Sequence, residues 1–182
     1  MSSLMCPVGL DTERLGAAVF DTYTRVALDP GGAFHFNRGP AYAAGQLGYD
    51  AAELAAVPAL ATERFAGVGN PLLMAPVSLG ESVLDVGCGA GLDLLLAARQ
   101  AGPAGRAIGV DGCDAMIARC RSAAATAGLG TVDVRKGDLH ELPVDTASVE
   151  VVISNGVLNL AHAQDIVTHD WTQIVRVARR FE

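Results

Sequence analysis

The chain has 182 residues, of which 51% are hydrophobic and 18% charged, with a formal net charge of −7 and a pI near 5.0. One domain is the expected size class, long enough to bury a core. The acidic balance, without a basic patch, argues against nucleic acid or an anionic membrane surface as partner, and no apolar run reaches the roughly 18 residues of a membrane span.

The opening residues show neither a basic start nor a signal-like apolar core, so the expected location is cytoplasmic. Cys6, Cys88, Cys113 and Cys120 do not make a disulfide framework. Cys113 and Cys120 read as core thiols in preference to a soft-metal pair, and no metal site is expected. Residues 11–28 place Leu15, Val19, Tyr23 and Val26 on one helical stripe, with Asp11 as N-cap. Asp29-Pro30-Gly31-Gly32 ends that helix. An aromatic, glycine-rich segment follows. Pro40 opens a short helix through Leu47, Asp50 caps another with Glu53 three positions on, and Pro58 opens a third. Residues 66–71 form a loop and 71–75 a last helical piece. Residues 1–80 are therefore expected as a helical cap over an α/β part, 81–182.

From residue 81 strands alternate with helices: strands at 81–86, 106–110, 131–135 and 148–154, and helices at about 91–101, about 114–127 and from about Gln164. That alternation implies a mostly parallel, Rossmann-like sheet of about four strands with right-handed crossovers. The first strand runs straight into Gly87-Cys88-Gly89-Ala90-Gly91. Glycines at alternate positions permit a tight turn and close approach of a ligand, and the next helix aims free N–H groups at it. The dinucleotide fingerprint needs a third glycine at position 92, where this chain has Leu92. Asp85, just before the turn, suits a ligand with an ammonium group better than a pyrophosphate.

In open α/β sheets ligands lie beyond the carboxyl ends of the strands. Asp85 ends the first strand. Asp111 and Gly112 end the second, where a carboxylate can accept both hydroxyls of a ribose. Gly137, Asp138 and Leu139 end the third, with Asp138 suited to an adenine amino group. Asn155 and Gly156 end the fourth. Met116, early in the second helix, can pack on a base. Each has a plainer reading: Asp111 as a helix cap, Asp138 as a turn former beside Gly137.

VLDVGCGAG resembles motif I of class I S-adenosylmethionine (SAM) dependent methyltransferases. Together with GPAGRAIGVD, KGDLHELPV, VVISNGVLNL and the upstream LGYDAAELAAVP and GVGNP, the order is similar to the arsenite methyltransferase family over about residues 15–165. The resemblance implies a class I fold, SAM as methyl donor and a small-molecule acceptor. It implies cofactor contacts from Asp85, Gly87, Cys88, Gly89, Gly91, Asp111, Gly112, Met116, Gly137, Asp138, Leu139, Asn155 and Gly156. The family pattern places cysteines where this chain has Val68 and Gly156, so the arsenic site is not carried over, although soft thiolates are what trivalent arsenic requires. The pattern also continues into further strands after IVRVARRFE, so a truncated fold with an exposed apolar edge at the fourth strand is expected, open to self-association.

The aromatic segment 34–42 is expected to form a lid, with Tyr23, His35 and Arg38 as the polar groups to test for catalysis. Two alternatives stand beside a methyltransferase: a SAM-binding chain without activity, and a nicotinamide-dependent oxidoreductase.

Overall fold

A computed structural model describes residues 12–137, 139, 141–157, 174 and 178. Asp11, Cys6, Asp138 and the helix expected from Gln164 lie outside the described residues. The N-terminal half is helical: α1 (Thr12–Leu28), α2 (Gly39–Leu47), α3 (Ala51–Ala55), α4 (Ala59–Thr62) and α5 (Pro71–Met74). Asp50 caps α3 as its sequence position implies, accepting the N–H groups of Ala52 at 2.8 Å and Glu53 at 3.0 Å. Such a cap is worth about 1 kcal/mol.

The α/β part runs β1 (Ser82–Val86), α6 (Leu92–Ala101), β2 (Arg106–Asp111), α7 (Asp114–Thr126), β3 (Val132–Lys136) and β4 (Val151–Ser154). All pairings are parallel and the strand order is β3-β2-β1-β4. From β1 the chain steps through β2 to β3 on one side and then returns to β4 on the other, so the strand order reverses between β1 and β4, where an open α/β sheet forms a crevice.

Alternation along the strands divides the core. Val83, Ala107, Val134 and Ile153 pack with Leu94, Leu95 and Ile117 of α6 and α7. Leu84, Val86, Ile108 and Val110 face the other way, onto Leu142, Val144, Val149 and Ile174. Both faces of β1 are therefore covered, which explains why it carries apolar residues, Val83 on one face and Leu84 and Val86 on the other. Full burial of a residue such as Leu84 contributes about 1.5–3 kcal/mol. Gly109 of β2 has no side chain because a Cβ there would stand 2.5 Å from Leu94 Cδ2 and 2.8 Å from Cys88 Sγ.

Three expectations change. The fourth strand starts at Val151, not at residue 148. The edge is also not open throughout: Val149 is fully buried and forms an isolated parallel bridge with Ala178. An apolar residue of the fourth segment is thus covered by the chain's own later part. On α1, Leu15 is exposed although the apolar stripe included it. The helix packs on α7 through Val26 and Ala27, which cluster with Ala90, Cys113 and Met116.

Candidate functional site

The turn after β1 is built from three left-handed glycines, Gly87 (φ 73°), Gly89 (φ 53°) and Gly91 (φ 98°). Gly87 and Cys88 both donate their N–H to Val110 O, at 2.7 and 3.1 Å, and Gly91 N–H closes on Cys88 O at 2.9 Å. Gly89 N–H donates to Asp111 Oδ2 at 2.8 Å, while Asp111 Oδ1 accepts Cys113 N–H at 2.8 Å. One carboxylate thus fastens the glycine turn to the start of α7. It retains unused lone pairs, since a carboxylate offers about four acceptor sites.

The turn forms one wall of a cleft of about 280 Å³. Asp85, Gly87, Cys88 and Gly89 line it from β1 and the turn. Asp111, Gly112 and Met116 line it from the end of β2 and from α7. Leu139, Asn155 and Gly156 enter from beyond β3 and β4, and Tyr23 comes from α1. Gly16, Val19, Phe20 and Tyr23, at the i, i+3, i+4 and i+7 positions of one helical face, present α1 to the same space.

Four expected residues are not part of this lining. Gly91 is a packing glycine, where a Cβ would stand 2.6 Å from Cys120 Sγ; a Cβ on Gly137 would meet Pro143 Cδ at 2.6 Å. His35 is exposed and lies edge-on to Phe36 at 5.1 Å. Arg38 donates to Gly32 O and stacks over Phe34 at 4.3 Å. The aromatic segment therefore packs upon itself and against Tyr23, whose ring stacks with Phe36 at 6.3 Å. It is a support for α1, and of the three catalytic candidates only Tyr23 borders the cleft. Asp138 lies outside the described residues.

Sequence reading missed a buried polar cluster beneath the cleft. Asp93, in the first turn of α6, accepts Tyr49 O–H on Oδ1 at 2.5 Å and Asn155 Nδ2–H on Oδ2 at 2.9 Å. The Asn155 Oδ1 atom accepts the N–H groups of Val68 at 2.8 Å and Gly69 at 3.1 Å, and Nδ2 also donates to Gly69 O at 2.8 Å. Asn155 is thus a latch holding loop 67–69 against the ends of β4 and α6. Both ends of its amide are engaged within the protein, so it shapes the cleft wall. A lone acid in the apolar run LDLLLAA was the available signal for Asp93. Tyr49 carried none.

The electrostatics follow from burial. Asp85, 2% exposed, is held well above the usual carboxylate range, first by burial and then by the charge of Asp93; a backbone N–H from Leu94 opposes this. Asp93 is raised by burial, partly offset by its bonds from Tyr49 and Asn155. Asp111 is raised by burial against its backbone N–H donors. Tyr49 is pushed far up by burial and by Asp93. The Cys88 thiol is raised by its hydrogen bond with Cys120, and then by burial. Three acids close together on one floor favour a cationic ligand.

The positions where the family resemblance implies cysteines meet in the fold. A Cβ on Gly156 would stand 3.8 Å from Val68 Cγ1. Together they form one apolar spot at the end of β4. Among the described residues no group of three or more His, Cys, Asp or Glu is arranged to hold a metal.

Residues 78–180 match the family model described as a methyltransferase domain. The chain is 43% identical over 135 residues to an arsenite methyltransferase from Halobacterium salinarum, covering 74% of this chain and 34% of that protein. It is 41% identical over 76 residues to the nocamycin O-methyltransferase of Saccharothrix syringae, covering 42% of this chain and 27% of that one. The crystal structure of an arsenic(III) S-adenosylmethionine methyltransferase from Chlamydomonas reinhardtii superposes with a TM-score of 0.62 at 31% identity, over 78% of this chain and 46% of that one. The chain spans about a third or less of the length of these curated relatives.

Proposed function

From a chain that belongs to the methyltransferase domain family, we propose a SAM-dependent methyltransferase acting on a small-molecule acceptor, with the cleft beyond β1 and β2 as its cofactor site. The residues present fit that cofactor. A Cβ on Gly89 would meet no protein atom within 4 Å, so the missing side chain leaves open cleft that a ligand can occupy. The floor is acidic, as a cofactor with an ammonium and a sulfonium requires. The observation that carries the reading is this pairing of an open glycine turn with buried Asp85 and the fastened carboxylate of Asp111.

In this reading Asp111 accepts the ribose hydroxyls, with lone pairs that Gly89 and Cys113 leave free. Met116, buried at the start of α7, packs on the base, with Gly112 and Leu139 beside it. Asp138 takes the adenine amino group. The backbone of Gly87, Cys88 and Gly89 and the Asp85 carboxylate hold the amino-acid end, with Gly156 closing the wall. When bound, the cofactor supplies a methyl group already activated for in-line displacement. The protein's part is then alignment and exclusion of water, and the α1 face with Phe20 and Tyr23 covers the cleft to that end. Residues 1–80 serve as the cap and 81–182 as the cofactor domain.

Val68 and Gly156 offer no soft donor at the spot where the family's thiols stand, which favours a small organic acceptor over arsenite. The free buried thiols Cys88, Cys113 and Cys120 are consistent with a reducing, cytoplasmic setting. Among the described residues no helix is long and apolar enough to cross a membrane. Two copies pairing along the part of β4 beyond the Val149 bridge is the self-association this reading includes.

Calorimetry with SAM and with NAD tests the cofactor. SAM binding is expected, and NAD binding without SAM binding would reject the proposal in favour of an oxidoreductase. Product detection across small phenols, thiols, carboxylic acids and arsenite then tests transfer; SAM binding with no acceptor methylated would leave a silent binder.

A further inference from the structure

Arg64 lines the same cleft as the three acids and is the one cation of that lining among the described residues. It follows α4, at the start of the RFAG segment, and is only 8% exposed. Its Nε–H donates to Ala27 O, in the last turn of α1, at 2.8 Å, and Nη1–H to Leu60 O at 3.2 Å. Nη2 has no hydrogen-bond partner among the described residues. The nearest counter-charge is Glu63, 3.6 Å from Nη1, and its side chain is 53% exposed. Arg119 also donates to Ala27 O, at 3.1 Å, so a second guanidinium stands close by. Burial and Arg119 both lower the Arg64 pKa.

The plain reading of Arg64 is a cap for the carbonyl end of α1. Arg119 already bonds that same carbonyl, from a less buried position, so capping alone does not require a second, more deeply buried cation. A guanidinium taken out of water without a matched anion is costly. It also retains donors in a fixed fork suited to a carboxylate. The aromatic rings of Phe20, Tyr23 and Phe65 line the cleft with it and lower the local dielectric, which strengthens any such pair.

We propose that Arg64 is the anion-binding residue of the cleft and takes a carboxylate, carried either by the amino-acid end of the cofactor or by an acidic methyl acceptor. This rests on the cofactor site proposed above. It divides the cleft into an acidic floor for positive charge and a basic cap side for negative charge.

Calorimetry on the full chain tests it, with wild type, Arg64→Gln and Arg64→Lys. The probes are S-adenosylhomocysteine, 5′-methylthioadenosine (which lacks the amino-acid end) and benzoate added to the S-adenosylhomocysteine complex. If the cofactor supplies the carboxylate, Arg64→Gln weakens S-adenosylhomocysteine by about tenfold or more and leaves 5′-methylthioadenosine within about twofold, with Arg64→Lys in between. If the acceptor supplies it, both nucleosides bind as in wild type and benzoate binding is lost in Arg64→Gln. Should Arg64→Gln fail to fold, wild type alone decides: it discriminates against the carboxamide of S-adenosylhomocysteine or against benzamide by a similar factor. Equal weakening of both nucleosides, or no change with any probe, overturns the proposal. Wild type that binds neither nucleoside overturns the cofactor site itself, and this proposal with it.

Discussion

An added Cβ at Gly91 would stand 2.6 Å from Cys120 Sγ, whereas one at Gly89 would meet no protein atom within 4 Å. Both residues have positive φ, so alanine costs about 1 kcal/mol of backbone strain at either. At Gly91 overpacking adds about 1–3 kcal/mol. We expect Gly91→Ala to lower the thermal midpoint clearly more than Gly89→Ala. Gly89→Ala should instead abolish or sharply weaken S-adenosylhomocysteine binding, because its methyl group projects into the cleft. Thermal melts paired with calorimetry separate the two, and the reverse ranking would show that the cleft is not where the ligand lies. Asp111→Ala should weaken SAM by about 1–3 kcal/mol, the range for a lost charge-assisted bond. Unchanged affinity would leave Asp111 as a fastener between the glycine turn and α7.

At the scale of elements, Asn155 ties loop 67–69 to the end of β4, beside hydroxyl donors from Tyr42 to Gly67 O and from Tyr49 to Gly69 O. Asn155→Leu removes the acceptor for Val68 and Gly69 and one donor to Asp93. The buried Asp93 oxygen then lacks its partner, a loss of about 1–3 kcal/mol. Hydrogen exchange should speed up at the Gly69 amide more than at amides within β1. Uniform acceleration across the sheet would mean that Asn155 supports the whole core and not this loop. Gly67 belongs to the same contact, since a Cβ there would stand 2.4 Å from Asn155 Nδ2.

For the whole molecule, the acids of the floor tie stability to pH. Asp85, Asp93 and Asp111 have folded-state pKa values raised above the ordinary 3.8. Between 3.8 and those raised values the folded chain binds more protons than the unfolded one, so its stability falls as pH rises through that window. Asp133 has the opposite sign, lowered first by its hydrogen bond from Arg135, but its side chain is 43% exposed and solvent screening keeps its contribution small. Denaturant midpoints of the ligand-free protein should therefore fall from mildly acid pH upwards, and Asp93→Asn should flatten the slope. A ligand that places positive charge over the floor should bind more tightly as pH rises through the same window. A flat profile for both proteins would contradict an ionisable, buried floor.

Sequence alone determined the elements and their kind, because periodicity, caps and glycine turns are local: every described helix and strand begins within three residues of its expected place. It also marked the ends of β1 and β2, since an acid beside a glycine after an apolar run is legible without tertiary contacts. Only the fold decided the rest. Arg38 stacks on Phe34 and the exposed His35 lies edge-on to Phe36, both outside the cleft lining. Asn155 proved to be a latch, because its partners Val68, Gly69 and Asp93 lie 62 or more positions away in the chain. Arg64 was one arginine among several until folding buried it in the same cleft as three acids. Which side chains face a shared cleft depends on long-range packing, and no local pattern records it.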